Sequence, residues 1–125
     1  MAEGFKNLLV WQKAIELTMA VYKLNSPFPA EERFELVNQM RRASVSIPSN
    51  IAEGYSRSGK GEYLQFLSHS RGSCGELETQ LVIARGLAFG KDDQLNPSSE
   101  LCNHVGRLLF ALSKSIRSKQ RDVPE

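Results

Sequence analysis

The stretch Gly54-Tyr55-Ser56-Arg57-Ser58-Gly59-Lys60-Gly61 comes within one residue of a phosphate-binding loop. That chemistry needs a Ser or Thr after the lysine, to place a hydroxyl on magnesium, and Gly61 has no side chain to do so. Such a loop also follows a strand, whereas a helical pattern precedes this one. The segment therefore reads as a basic turn between two helices, with Arg57 and Lys60 available to touch phosphate. A phosphate group resting on the start of the following helix remains compatible with it. A second set is Arg41, Arg42, Asn50, Glu53, Glu76, Glu78 and Gln80. Glu76 and Gln80 lie one helical turn apart, and Arg42 and Glu53 can face them from the preceding helix. Paired carboxylates serve acid–base chemistry. Buried charges persist when paired, however, and often fix register. The expectation is a structural polar seam of Arg42, Asn50, Glu53, Glu76 and Gln80, with no catalytic residue.

A third set is basic. Arg107, Lys114, Arg117, Lys119 and Arg121 follow one another with no acid between Leu101 and Arg121. Cations also suit a helix C-terminus. Repeated around an oligomer, they would form a charged rim able to hold a nucleic-acid backbone in a salt-dependent way. Tyr55 and Arg57 can add stacking or phosphate contacts. His69 and His104 stand alone, without metal-ligand spacing. Cys74 and Cys102 sit inside helical patterns and read as buried free thiols of a reducing cytoplasm. No cofactor or metal is expected.

These side chains need elements to carry them. The chain has 125 residues, 41% hydrophobic and 24% charged, with a formal net charge of +2. That suits one soluble domain with a single core. No apolar run approaches the ~20 residues that cross a bilayer, and Met1 to Lys6 do not resemble a secretory leader. Turn-forming clusters at Asn25–Pro29, Gly54–Gly61 and Gly90–Pro97 leave four helical segments, about 8–24, 30–54, 60–88 and 97–119.

In the first, Leu8, Trp11, Ile15, Thr18 and Tyr22 share a face, with Ala14, Leu17 and Val21 alongside. Leu9, Val10 and Trp11 supply more apolar surface than one stripe needs. In the second, Val37, Met40, Ser44, Ile47 and Ile51 alternate three and four apart. In the third, Tyr63, Leu67, Ser70, Cys74, Leu77, Leu81, Ala84 and Ala88 do the same. In the fourth, Leu101, Val105, Leu108, Leu112 and Ile116 form the stripe, thickened by Cys102, Leu109 and Phe110, and Pro97 suits its first turn.

Pro48 falls inside the second helix. It deletes a backbone bond to the Ser44 carbonyl and predicts a kink or an early stop. The small residues Ser68, Ser70, Gly72, Ser73, Cys74 and Gly75 of the third helix would give that bend room. Short connections predict an antiparallel up-and-down four-helix bundle, an all-α fold.

The segments FKNLLVWQKA at Phe5–Ala14, Gln39-Met40-Arg41-Arg42-Ala43, Ser46–Gly54, Gly72-Ser73 and Glu76–Leu81 together resemble the bacterial four-helix bundle protein family. That family includes proteins encoded in intervening sequences of large-subunit ribosomal RNA genes. The likeness spans about Phe5 to Leu112, departing at Ser70, where alanine is common, and at Cys74, where leucine is common. It implies an up-and-down bundle assembled as a ring-shaped homopentamer. It also implies a distant likeness to the accessory variability determinant of diversity-generating retroelements, a basic pentamer that engages nucleic acid. This chain is far closer to neutral. The resulting expectation is a non-enzymatic cytoplasmic homo-oligomer that binds RNA or DNA. The alternative is an adaptor ring that recruits another protein.

Overall fold

The computed structural model describes residues 4–121, with the backbone but not the side chains of the last two. A 3-10 turn over Gly4–Asn7 leads into helix α1, Leu9–Asn25. A second 3-10 turn at Ala30–Glu32 precedes α2, Leu36–Tyr55; α3 spans Lys60–Gly86 and α4 spans Asp92–Arg121. There are no strands among the described residues. Each helix packs on its sequence neighbours, and α1 closes the circle onto α4. Cross-helix contacts run in opposite sequence order: Thr18 meets Ser44 while Asn25 meets Arg41, and Ile47 meets Ser70 while Gly54 meets Tyr63. That is the order of antiparallel neighbours.

The core stripes of α2 and α3 follow their periodicity. Val37, Met40, Ser44, Ile47 and Ile51 are buried, as are Leu67, Ser70, Cys74, Leu77, Leu81 and Ala84. The other two helices are rotated from their expected faces. On α1, Val10, Ala14, Leu17, Val21 and Leu24 enter the core, while Trp11, Ile15 and Thr18 lie half-buried on the flank and Tyr22 is exposed. On α4, Cys102, Val105, Leu109, Ser113 and Ile116 point inward, and Phe110 is exposed. Both helices carry apolar residues over more than one stripe, so period alone does not choose the inward side.

Three boundaries differ from the sequence reading. Helix α2 begins at Leu36, not near Ala30. Phe28 is buried against Phe89, ring centroids 5.5 Å apart, which draws the connection inward before the helix can start. Glu35 then has non-helical backbone angles, and the Glu32 carboxylate accepts from the Leu36 amide at 3.4 Å. Helix α4 begins at Asp92, so Pro97 lies inside it. Asp92 and Asp93 occupy the first turn, where negative charge suits the dipole, and the early start carries Leu95 into the core. Helix α3 ends at Gly86, before Ala88. Ala88 adopts φ 61°, and the Phe89 amide donates back to the Ala84 carbonyl at 2.9 Å. That is a left-handed helix stop, with alanine where glycine is usual.

Candidate functional site

Pro48 is buried and helical hydrogen bonding continues on both sides of it, so α2 does not stop there. Its ring leaves the Ser44 carbonyl without the usual amide donor. Thr18 fills the gap from α1: its Oγ1 lies 2.9 Å from Ser44 O and 3.0 Å from its own helix's Ala14 O, so its single hydroxyl hydrogen serves these two carbonyls. On the other side, Ser70 of α3 donates to the Ile47 carbonyl at 2.8 Å. Ser46 Oγ accepts from Ser73 Oγ and from Asn50 Nδ2, both at 2.9 Å. Hydroxyls from α1 and α3 thus clamp the proline-bearing turn of α2.

The polar seam is therefore built differently from the expected set. Asn50 belongs to it. Arg42, Glu76 and Gln80 instead line an open groove between α2 and α3, with Arg42 and Glu76 exposed. Gln80 is half-buried, and its Oε1 has no hydrogen-bond partner. Glu53 faces away and pairs with Arg57 at 2.7 Å on the surface. No described ion pair joins Arg42 to a carboxylate. The expected role of Gly72 is also corrected. A Cβ on Gly72 or Gly75 would meet nothing within 4 Å, so neither glycine admits the Pro48 turn. The close approach is at Gly54, where a Cβ would lie 2.8 Å from Phe66 Cβ and 3.1 Å from Tyr63 Cδ1.

Around Gly54–Gly61 the chain passes from helix to turn to helix, with Gly59 at the N-cap of α3. Tyr55 and Tyr63 meet edge to face at 6.0 Å, and the Arg57 guanidinium sits 5.1 Å from the Phe66 ring centre. Burial, then the neighbouring Tyr55, pushes the Tyr63 phenol above its ordinary value.

The basic residues lie at the surface. Arg57, Lys60, Arg107, Lys114, Arg117 and Lys119 are all exposed, and the Arg121 side chain lies outside the described atoms. Their helical positions sort them further. Arg107, Phe110, Lys114 and Arg117, spaced three and four apart, form one stripe, while Lys119 falls to another side. Arg71 of α3 places its guanidinium 5.3 Å from the Phe110 ring and extends the stripe across the helix pair. The antiparallel register brings the end of α4 beside Lys60 at the start of α3. Sequence reasoning missed Arg71 and took Phe110 for core; the spacing from Arg107 to Arg117 was the available signal.

Cys74 and Cys102 are buried free thiols, and Cys102 Sγ donates to the Cys74 carbonyl at 3.5 Å. Hydrogen bonding to Cys74, with burial, holds the Cys102 thiol far above the ordinary range. His69 lies edge-on to Phe66 at 6.0 Å. Among the described residues no three His, Cys, Asp or Glu side chains gather as metal ligands, and no helix is long and apolar enough to cross a membrane.

A family model described as 23S rRNA-intervening sequence protein matches residues 6–111. One similar solved structure is a protein with unknown function from the S23 ribosomal protein family of Bacteroides thetaiotaomicron VPI-5482. It is 20% identical, covers 85% of this chain and 96% of its own, and superposes with a TM-score of 0.78. At that identity the likeness speaks for the fold. No curated protein matches the chain.

Proposed function

The chain belongs to the 23S rRNA-intervening sequence protein family, and from that premise we propose that it is a non-enzymatic scaffold that assembles with copies of itself and holds RNA or DNA by the phosphate backbone. The stripe Arg107–Phe110–Lys114–Arg117, continued by Arg71, carries the proposal. From Arg107 to Arg117 it runs about 15 Å along the helix, or about four steps of a nucleic-acid strand. No acid on α4 interrupts it. An exposed aromatic ring among cations suits stacking on a base beside phosphate contacts.

One such stripe binds weakly. Repetition around a ring, five subunits by the family resemblance, multiplies it by avidity. Self-assembly draws support from apolar side chains left at the surface, among them Met19 at 61%, Val82 at 67% and Leu87 at 55% exposure. The exposed helical glycines Gly72 and Gly75 leave α3 open to close approach. The nearly apolar groove of Met19, Tyr22 and Val45 favours the second reading, an adaptor ring that recruits a protein.

Fluorescence anisotropy on a labelled RNA hairpin tests the first reading. Affinity should fall steeply with salt, with a logarithmic slope of about −3 for each engaged subunit. The triple variant Arg107→Glu, Lys114→Glu, Arg117→Glu should lose binding while sedimenting as the unaltered protein does. No binding at low salt, or binding that survives the triple variant, overturns the nucleic-acid role.

A further inference from the structure

The chain has two cysteines, and the fold brings them together. Cys74 lies midway along α3 and Cys102 in the first half of α4, two helices packed side by side. Cys102 Sγ is 3.5 Å from the Cys74 carbonyl, although the residues are 28 positions apart in the chain. Both thiols are free, with Cys74 7% exposed and Cys102 2%. The hydroxyls beside Cys74 are already engaged with α2: Ser70 donates to Ile47 O, and Ser73 donates to Ser46 Oγ. The two thiols are left to each other.

The single hydrogen on Cys102 has two acceptors within reach. With Cys74 neutral it points to the Cys74 carbonyl. Once Cys74 loses its proton, the sulfur becomes the stronger acceptor and the hydrogen turns to it. That bond holds the Cys74 thiol below its ordinary value, against burial and the Glu78 carboxylate, with Arg71 assisting. The same bond, together with burial, keeps Cys102 protonated. The roles therefore divide. Cys74, the more exposed of the two, supplies the thiolate, and Cys102 holds its hydrogen for a second step.

We propose that Cys74 and Cys102 are an oxidisable pair, which hydrogen peroxide converts into a disulfide stapling α3 to α4. The Cys74 thiolate attacks one peroxide oxygen and the O–O bond breaks. The departing hydroxide takes up the proton that Cys74 had lost and leaves as water, and Cys74 becomes a sulfenic acid. Cys102 Sγ then attacks that sulfur, the S–O bond breaks, and hydroxide leaves with the Cys102 proton as a second water. Two thiols and one peroxide thus give one disulfide and two waters; each sulfur gives up one electron and the peroxide accepts both. Cys102 Sγ already lies against the backbone of the residue it joins, so closure needs side-chain rotation and a slight approach of α3 to α4. The pair is independent of the nucleic-acid reading, because neither cysteine belongs to the α4 stripe.

The test treats the folded full chain with hydrogen peroxide, unfolds it in denaturant with excess iodoacetamide, and reads intact mass and tryptic peptides without reduction. The expected product has lost two hydrogens, takes up no iodoacetamide, and yields a peptide pair joined through Cys74 and Cys102. Dithiothreitol should restore both thiols. The oxidised chain should melt about 5–15 °C higher, because the bond closes a loop in the unfolded state. In Cys102→Ala, Cys74 should pass on to sulfinic acid, and in Cys74→Ala, Cys102 should oxidise about tenfold more slowly. Four results overturn the pair: two alkylatable thiols after peroxide, oxygen gained with no hydrogen lost, a bond only between chains, or a melting temperature lowered by the bond. All four are read on the unaltered chain, so they decide the matter if either variant fails to fold.

Discussion

Thr18 Oγ1 lies 2.9 Å from the carbonyl of Ser44, the group that Pro48 deprives of its amide partner. A hydroxyl on one helix thus repairs a defect that proline makes in the next, and α1 is tied to α2 at the buried Ser44. The repair explains how α2 runs through Pro48 to Tyr55.

Thr18→Val removes that donor while keeping the shape. It should lower stability by about 1–3 kcal/mol, the range for an orphaned buried acceptor. In a Pro48→Ala background the restored amide serves Ser44 itself, so Thr18→Val should cost less there. Urea unfolding of the four proteins in the cycle gives the coupling, which should exceed about 0.5 kcal/mol. Additive costs would show that the two residues act independently.

Two glycines should respond oppositely to alanine. Gly54→Ala drives a methyl into Phe66 Cβ at 2.8 Å and should destabilise by about 1–3 kcal/mol through overpacking. Gly72→Ala meets open space and should stabilise the fold by about 0.5–1 kcal/mol, the usual gain within a helix. Thermal melts separate them; a loss of stability at Gly72 would mean that a neighbouring subunit covers it.

Ala88 holds the left-handed stop of α3 at φ 61°. Ala88→Gly relieves that strain but frees the unfolded chain, leaving a net gain of about 1 kcal/mol. The melting temperature should rise, and a fall would contradict the strain.

Tyr63 ionises above the ordinary phenol value because burial and Tyr55 disfavour its charged form. With the folded value above the unfolded one, the contribution is intact below about pH 10 and is lost as pH climbs through the raised value. Ultraviolet titration should show one tyrosine ionising late, absent in Tyr63→Phe. Stability should fall less steeply above pH 10 in that variant.

Much of the architecture was legible because local rules agreed. The three-four alternation through Val37–Ile51 and Leu67–Ala84 names buried residues, and the freed Ser44 carbonyl follows from Pro48 alone. The candidate surface was half legible. The cations from Arg107 to Arg117 are countable, but Arg71 joins them only when α3 lies beside α4.

From sequence alone came the helical class, the two central stripes, the need for a donor at Ser44 and the run of α4 cations. Tertiary packing chose Thr18 as that donor, turned Phe110 outward, and placed the close approach at Gly54 instead of Gly72. It also enclosed Asn25 with Arg41. The physical reason is that periodicity gives each helix a direction along its own axis, whereas rotation about that axis and the partner across the gap depend on how four wide apolar faces fit together at once.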